Sequence, residues 1–434
     1  MWGTWEIVAL VLFLAMYALL LIFQKYRAYI ALGTAVLFIV FGILDYGKIL
    51  ETINWNVLLM IGGTMGTVSL FIESKMPAKM ADIIIKKTPN VMWTTCALSL
   101  FAGIVSAFVD NVATVLMIAP VALTICRKLK ISPVPILIAI SVSSNLQGAA
   151  TLVGDTTSIM MAGEANMNFV DFFFMDGKMS MFFVTEIGAL VSLIILLFIF
   201  RKEKQPIDSL EETKVEDYVP SIAMLLTIVL LIVASFFDKF DIMIGGQNLT
   251  NGVICVTVFF ALLIYEMIKQ KKFAVIKKTF AEIDFFTLLL LASLFLVIGG
   301  IRDAGIITRI SELIASIGGG NIFWTYTIIV WASVLISAFV DNIPYVATML
   351  PVTTALAAAL SIDPRLFYFG LLVGATLGGN LTPIGASANI TAIGILRKEG
   401  CEVKNRDFLK IGVPFTLAAV ITGYVLVWLV WKPF

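Results

Sequence analysis

The chain of 434 residues contains no histidine at all, and only 14% of its residues are charged. Without histidine, the commonest proton-transferring side chain and metal ligand is missing, so any side chain that carries a proton is expected to be a carboxylate. The four cysteines are scattered without a CxxC spacing, which indicates neither a disulfide framework nor a zinc site. The net charge of +1 provides no field for a strongly charged partner, so no nucleic-acid binding is expected.

Apolar residues make up 60% of the chain, and they recur in runs of about 20 residues, the length that spans a hydrocarbon core. The strands of a membrane barrel would instead alternate in shorter segments. The composition therefore predicts an all-α polytopic membrane protein, with the first apolar run retained rather than removed as a signal peptide. We place ten spans near 5–23, 28–44, 53–72, 133–162, 179–200, 220–237, 250–268, 283–300, 364–396 and 409–430.

One short stretch occurs twice, as Ser-Ala-Phe-Val-Asp-Asn at 106–111 and again at 337–342, an offset of 231 in residue number. From 106 to 120 and from 337 to 351, eight of fifteen positions are identical. The same offset joins Gly148 to Gly379, Thr151 to Thr382 and Gly154 to Gly385. The chain is therefore predicted to consist of two copies of one unit: a first repeat over 1–200, a cytoplasmic linker over 201–219 and a second repeat over 220–434.

The repeated motifs lie in two segments, 92–129 and 322–358, which each hold two apolar stretches broken at Val-Asp-Asn. Each stretch has about 17 residues, the lower limit for a span. Both segments are therefore predicted to be re-entrant helical hairpins with the Asp-Asn pair at the tip. Non-helical backbone at that depth survives only where it is buried in protein or lines a wet cavity.

The basic residues predict how the chain lies in an inner or plasma membrane. Loops on one side contain 23 of the 30 Lys and Arg residues, so that side is expected to be cytoplasmic and both termini extracytoplasmic. Each half has five spans, an odd number, so the second half enters the membrane inverted relative to the first. The first hairpin would then open toward the cytoplasm and the second toward the exterior. The charges of the linker are expected to face water.

Inverted repeats with broken helices are typical of secondary transporters, whose sites lie near the midplane at half-helix ends. Two breaks are the hairpin tips, and two more interrupt the spans 133–162 and 364–396. Their glycines permit unwound backbone, and their hydroxyl, amide and carbonyl oxygens suit Na⁺. The candidate binding residues are Asp110, Asn111, Thr114, Gly148, Thr151, Gly154, Asp155, Thr156, Thr157, Asp341, Asn342, Gly379, Asn380, Thr382, Gly385, Ser387 and Asn389.

Two interpretations of the aspartates remain open at this point. Asp110 and Asp341 are good helix N-caps, and capping alone would explain either one. However, an ionisable group in mid-membrane costs at least ~2.5 kcal/mol, and Asn or Ser would cap without that cost. Asp155 has Ala386 as its counterpart, so the repeats are not equivalent in charge. No Lys or Arg lies in any break, which favours a cation or proton as one transported species, whereas half-helix N-termini favour an anion.

Other classes of membrane protein fit less well. The chain has no Walker A motif, which disfavours a nucleotide-driven pump. Inverted hairpins suit alternating access better than a channel. An intramembrane enzyme without histidine would have to be an aspartyl protease, and the Tyr-Asp and Gly-x-Gly-Asp signatures are absent. The protein is therefore predicted not to be an enzyme.

Four stretches resemble one known group: VSAFVDNVATVLMIAP, SSNLQGAATLVGDTTS, SAFVDNIPYVATMLP and GATLGGNLTPIGASANITAIG. They are similar to the ion transporter superfamily, in the branch of arsenite permeases, NhaD-type sodium/proton antiporters and the melanosomal P protein. Where many arsenite permeases and P-protein relatives read Gly-Asp-Pro-Pro-Asn, positions 154–158 read Gly-Asp-Thr-Thr-Ser, which leans toward the antiporters. The resemblance implies a homodimer in which the hairpins and broken spans move as an elevator across a fixed scaffold.

The sequence thus predicts an ion-coupled secondary transporter that uses no cofactor other than Na⁺ as a coupling ion. Asp110 and Asp155 would bind Na⁺ or H⁺, which compete for one site, with Asn111, Thr114, Thr151 and Thr157 as neutral ligands. The second repeat would supply the equivalent half of the site through Asp341, Asn342, Asn380, Thr382, Ser387 and Asn389. The alternative is an anion or metalloid permease, for arsenite, antimonite, or a di- or tricarboxylate, in which half-helix dipoles hold the substrate.

Overall fold

A computed structural model describes residues 3–207, 213–237, 241–271 and 273–433. The described chain is almost entirely helical, apart from two short antiparallel strand pairs, β1 (Phe174–Met175) with β2 (Lys178–Met179) and β3 (Met243–Ile244) with β4 (Gln247–Asn248). The helices of the first half are α1 (Thr4–Ile22), α2 (Arg27–Val40), α3 (Ile49–Thr52), α4 (Trp55–Glu73), α5 (Met76–Lys86), α6 (Val91–Ser106), α7 (Asn111–Leu129), α8 (Val134–Gly148), α9 (Thr156–Ala165) and α10 (Met181–Phe200).

The second half repeats this order of helices and adds a π-helical turn (Val373–Leu377) and a 3-10 turn (Gly379–Leu381) in its broken span. Its helices are α11 (Val219–Phe236), α12 (Thr250–Gln270), α13 (Ala274–Glu282), α14 (Phe285–Asp303), α15 (Ile306–Ile317), α16 (Ile322–Ser337), α17 (Asn342–Ala359), α18 (Arg365–Leu372), α19 (Ser387–Lys398) and α20 (Asn405–Trp431). The prediction of an all-α polytopic membrane protein is therefore confirmed.

Within the described residues, eight helices are long and apolar enough to cross a membrane, or nine if the bent pair α15–α16 forms one span. Seven of them lie at predicted spans. The other three predicted spans are the 14-residue helix α2 and two broken segments, α8 with α9 and α18 with α19. The eighth long helix is α7, the second arm of the first hairpin, which at 19 residues is longer than the sequence suggested.

The offset of 231 between the sequence repeats also relates the helix boundaries. The hairpin arms α6 and α7 correspond at this offset to α16 and α17, and α8 and α9 correspond to α18 and α19. Helices α4 and α14 correspond at an offset of 230, and each begins with an equivalent cap. Asn54 Oδ1 accepts a hydrogen bond from the Val57 amide at 3.2 Å, and Asp284 Oδ1 accepts one from the Thr287 amide at 2.9 Å.

Packing follows the same relation. Helix α4 packs on α12 as α14 packs on α2, and α10 packs on its own equivalent, α20. At the centre, the Asn145 amide donates to the Thr376 carbonyl at 2.8 Å, and these two residues are themselves 231 positions apart. A residue that contacts its own equivalent lies at the axis relating the two halves. The repeats are therefore related by a pseudo-two-fold axis that passes beside Asn145 and Thr376.

The linker is more closely attached to the protein than its charges suggest. The amides of Val91 and Met92, at the start of α6, donate to the carbonyls of Gln205 and Glu203 at 3.0 and 2.9 Å. The Thr213 amide donates to the buried Asp82 carboxylate at 2.8 Å. The backbone of this segment therefore supplies hydrogen-bond partners to α5 and α6, which the expectation about its charges did not address. Residues 208–212 of the predicted linker lie outside the described residues.

Candidate functional site

Four helix N-termini converge on one cavity of about 530 Å³. The first residues of α7, α9, α17 and α19 all line it: Asn111, Thr156, Asn342 and Ser387. Each of these helices begins at one of the four breaks that the sequence predicted, because glycine, proline and Asp-Asn sequences end the preceding helix there. Hairpin tips and broken spans therefore meet at a single site, the arrangement that secondary transporters use for binding.

Asp110 both caps a helix and lines this cavity. Its Oδ1 accepts hydrogen bonds from the Val112 and Ala113 amides at 3.0 and 3.1 Å, the geometry of an N-cap. The equivalent Asp341 Oδ1 accepts from the Ile343 amide at 3.2 Å. Capping is thus part of the role of both residues, but it leaves the Asp110 carboxylate on the cavity wall.

Asp155 has a different role, since its side chain makes no capping bond to α9 although it stands at the N-cap position. Its Oδ2 accepts a hydrogen bond from the Thr157 hydroxyl at 2.6 Å. The carboxylate lines the cavity, and the residue is only 5% exposed. The capping interpretation therefore does not explain Asp155.

A buried chain of hydrogen bonds joins Asp155 to the first hairpin tip through the second repeat. The Thr157 hydroxyl lies 2.8 Å from the hydroxyl of Thr376, in the π-helical turn. The Thr376 carbonyl accepts a hydrogen bond from Asn145 Nδ2 in the side-chain amide. Asn145 Oδ1 in turn accepts one from Asn111 Nδ2 at 3.0 Å. The sequence analysis missed Asn145 and Thr376. Their position beside glycine-rich breaks was the only signal, because no local pattern shows a contact between the two halves of the chain.

Each broken span holds a glycine in a cradle of backbone carbonyls. A Cβ atom at Gly154 would lie 2.5 Å from the Gly148 carbonyl oxygen and 2.7 Å from those of Ser106 and Ala107. At Gly385, the equivalent Cβ would lie 2.5 to 2.9 Å from the carbonyl oxygens of Gly379, Ser337 and Ala338. Only glycine permits this approach. In each repeat, three carbonyl dipoles thus converge where a hairpin tip meets a broken span.

The remaining predicted residues support the cavity from behind. The Thr151 hydroxyl donates to the Ala107 carbonyl, and the equivalent Thr382 hydroxyl donates to the Ala338 carbonyl. Thr114 is fully buried behind the tip of the first hairpin. The Asn380 amide donates to the Val142 carbonyl at 2.8 Å, which joins the two broken spans. These side chains therefore hold the breaks together.

Three buried polar atoms near the breaks lack a hydrogen-bond partner among the described residues, namely Ser106 Oγ, Ser158 Oγ and Asn389 Oδ1. Ser158 and Asn389 are equivalent at the repeat offset. Buried polar groups are nearly always satisfied, so two unsatisfied acceptors at one equivalent position indicate a place for a missing partner. Across the described residues, no three His, Cys, Asp or Glu side chains group as a metal site, so neutral oxygens would supply most ligands of any cation here.

A basic residue from outside the four breaks reaches the site. No basic residue lies in a break, but Arg27, the first residue of α2, reaches the second hairpin tip and forms an ion pair with Asp341. Both side chains are about four-fifths buried. The sequence placed Arg27 in a loop, and its partner lies 314 residues away. The second aspartate thus has a basic partner, whereas no ion pair to Asp110 or Asp155 is found within the described chain.

The wall opposite the helix N-termini adds two further carboxylates. Glu282 and Asp284 both line the cavity, and Glu282 Oε2 accepts a hydrogen bond from the Ser69 hydroxyl at 2.5 Å. In total, four carboxylates line the cavity, against the single guanidinium of Arg27. Such an excess of negative charge favours cations over anions at close range.

The comparisons with known proteins agree with this architecture. The family model described as "Citrate transporter" matches residues 17–374 and, in a second alignment, 242–433. The chain therefore belongs to the citrate transporter family, and it is a membrane transporter. The "Uncharacterized transporter Rv2685" of Mycobacterium tuberculosis is 29% identical over 98% of both chains. The "P protein" of Mus musculus is 26% identical over 86% of this chain and 54% of its own length.

Two solved structures share the fold. The YdaH transporter of Alcanivorax borkumensis matches with a TM-score of 0.60 at 13% identity, covering 88% of this chain and 87% of that one. MtrF of Neisseria gonorrhoeae, described as illuminating a class of antimetabolite efflux pumps, matches with a TM-score of 0.57 at 13% identity, over 89% and 84%. At this identity, the likeness concerns the fold alone. Together with the family match and the P protein, the shared fold confirms the predicted resemblance to this group of transporters.

Proposed function

We propose that this transporter is coupled to Na⁺ or H⁺ and binds the coupling cation at the convergence of the four helix N-termini. The observation that carries the proposal is the cavity wall itself, with four carboxylates and one arginine. Asp110 and Asp155 are the two carboxylates there that lie on the hairpin tip and the broken span. Na⁺ and a proton would compete for them, which is sufficient for exchange.

Oxygen atoms on the broken spans support the same proposal, because Na⁺ takes oxygen ligands. The unsatisfied oxygens of Ser158 and Asn389 stand on the half-helices that follow the cradles around Gly154 and Gly385. One Na⁺ per repeat is the simplest arrangement, with Asp155 adding charge only in the first.

The orientation of the cavity is part of the proposal. Arg27 and Glu282 belong to loops on the side that carries 23 of the 30 basic residues, so the positive-inside rule assigns the cavity to the cytoplasmic side. The protein would then be in an inward-open state, with inverted repeats and both termini outside. Elevator movement and a homodimer remain predictions from the resemblance.

Purified protein in liposomes with an internal pH dye tests the proposal directly. A Na⁺ gradient should drive a pH change in the parent protein, and Asp155→Asn should abolish it. Glu216→Gln is the matched control, because it removes a carboxylate from an exposed ion pair with Lys75, away from the cavity, and it should retain exchange. Exchange that survives in Asp155→Asn would refute the assignment of this carboxylate.

An organic or inorganic anion is the second candidate, and two observations favour it. The family is described by citrate transport, and four helix N-termini direct their positive ends at the cavity. The four carboxylates oppose a free polyanion, so an anion would have to enter together with cations. If no Na⁺-driven pH change appears, uptake of labelled citrate and arsenite with and without Na⁺ separates these cases.

A further inference from the structure

A second cavity is related to the first by the pseudo-two-fold axis. It has a volume of about 330 Å³, and its wall includes Asn54, Phe295 and Ile298. At the offset of 230 that joins α4 to α14, these residues correspond to Asp284, Met65 and Val68, all of which line the larger cavity. The two cavities are therefore equivalent spaces in the two repeats.

The cavities differ in depth. The larger one reaches the hairpin tips at Asp110 and Asn342. The smaller one ends against Ala347, Leu350 and Pro351, one to three turns along α17 from its tip. Equivalent residues therefore line the two cavities, but only the larger cavity reaches the hairpin tips. One route to the site is open, and the equivalent route in the other repeat is closed.

A glycine marks the contact that closes the smaller route. A Cβ atom at Gly163, on α9, would lie 2.7 Å from Asn54 Nδ2 and 2.9 Å from Val57 Cγ2, at the N-terminus of α4. A real Cβ atom does not come this close to other heavy atoms. The backbone of α9 at Gly163 therefore packs directly against the side chains at the start of α4. Helix α9 cannot approach the α4 cap this closely with a larger residue.

The equivalent glycine makes no such contact. At Gly394, its counterpart on α19, an added Cβ atom would have nothing within 4 Å. Gly394 lies two turns after Ser387, which places both on one face of α19, the face toward the larger cavity. The equivalents of Asn54 and Val57 are Asp284 and Thr287, and both line that cavity. The open space thus lies where the second repeat lacks the contact that the first one makes.

We propose that the two glycines exchange roles during transport. In the opposite state, Gly394 packs on Asp284 and Thr287 and closes the larger cavity, while Gly163 separates from Asn54 and Val57 and opens the smaller one. The inference rests on the proposed alternating-access function but not on the identity of the transported ion. It specifies which contact defines each state and predicts opposite effects for one substitution at two equivalent positions.

Cysteine accessibility in nanodiscs is the first test of this exchange. In a background lacking the four native cysteines, Met65→Cys reports on the larger cavity and Phe295→Cys on the equivalent position of the smaller one. A hydrophilic maleimide should label Met65→Cys faster in the parent. Gly163→Leu should shift the ratio of the two labelling rates toward Phe295→Cys by about 5- to 150-fold, the range that overpacking of a tight contact produces. Gly394→Leu should leave the parental ratio unchanged or increase it.

The second variant keeps the test decisive if Gly163→Leu does not fold. Gly394→Leu is accommodated in the present state, so it should elute as folded protein, but it should block the opposite state and stop transport. Equal shifts in the same direction for the two variants, or normal transport by Gly394→Leu, would overturn the proposal. If the labelling ratios move as expected while no Na⁺-driven pH change occurs, only the assignment of the coupling ion fails.

Discussion

Replacing Arg27 with Gln should destabilise the protein by leaving the Asp341 carboxylate without its ion-pair partner. The two side chains are 21% and 19% exposed, so solvent screens their interaction only in part. A hydrogen bond to a charged group contributes about 1.5–3 kcal/mol. Tyr17 binds the same hairpin, donating to the Pro344 carbonyl at 2.6 Å, so the loss should loosen the hairpin rather than release it.

A double-mutant cycle isolates the contribution of the pair. Asp341→Asn keeps an oxygen that can accept from the Ile343 amide, so it removes the charge and preserves the cap. Each single variant should lose about 1.5–3 kcal/mol, and the double variant should lose less than the sum, with a coupling of about 1–2 kcal/mol. Such an interaction energy is typical of residues in direct contact.

Thermal unfolding in detergent, followed by intrinsic tryptophan fluorescence at one scan rate, ranks the variants. At about 2 °C per kcal/mol, the lower end for large domains, each single variant should unfold about 3–6 °C below the parent. Lys48→Gln is the matched control, because its ion pair with Asp303 is exposed and should contribute no measurable stability. Additive effects of Arg27→Gln and Asp341→Asn would refute the reasoning, since they would show that the two charges do not interact in solution.

Two further predictions concern the broken spans. Thr376→Val removes the hydroxyl beside Thr157 and should weaken apparent Na⁺ affinity about tenfold, the effect of one net hydrogen bond. Thr376→Ser keeps a hydroxyl and should restore the affinity. Unchanged Na⁺ dependence in the Val variant would exclude a positioning role for Thr376. Gly154→Ala places a methyl group against three carbonyls and should lower stability by about 1–3 kcal/mol. Gly33→Ala, which has nothing within 4 Å, should be neutral or stabilising, and an equal loss in both would contradict the cradle.

The sequence predicted most of what depends on local chemistry. The hairpin tips at Asp110 and Asp341 and the breaks at Gly154 and Gly385 were found because helix-ending residues stand out in an apolar chain. The length of α7 was underestimated, since its last turn carries Arg127 and Lys128 and resembles a loop in composition. Periodicity and propensity are local signals, and they determine where helices begin and end.

The partners of the site residues could not be predicted in the same way. Arg27 belongs to a loop in any hydropathy profile, and its contact with Asp341 depends on how α2 lies beside the second hairpin. Asn145 resembles an ordinary polar residue in a buried helix until it meets Thr376. Such contacts between distant parts of the chain come from tertiary packing, on which a single sequence carries no information. Sequence composition therefore predicted where the site lies, but the pairing of its charged residues could be seen only in the folded structure.

The contact between Asn145 and Thr376 also bears on how such a chain could have arisen. If two identical copies of the ancestral unit once faced each other across this axis, one residue type would have met itself, as in any isologous interface. Once the copies were joined in one chain, the two positions were free to become different. One could then supply the donor and the other the acceptor of a single bond. After the fusion, a contact between two identical residues could thus become a contact in which the first half donates the hydrogen bond and the second half accepts it.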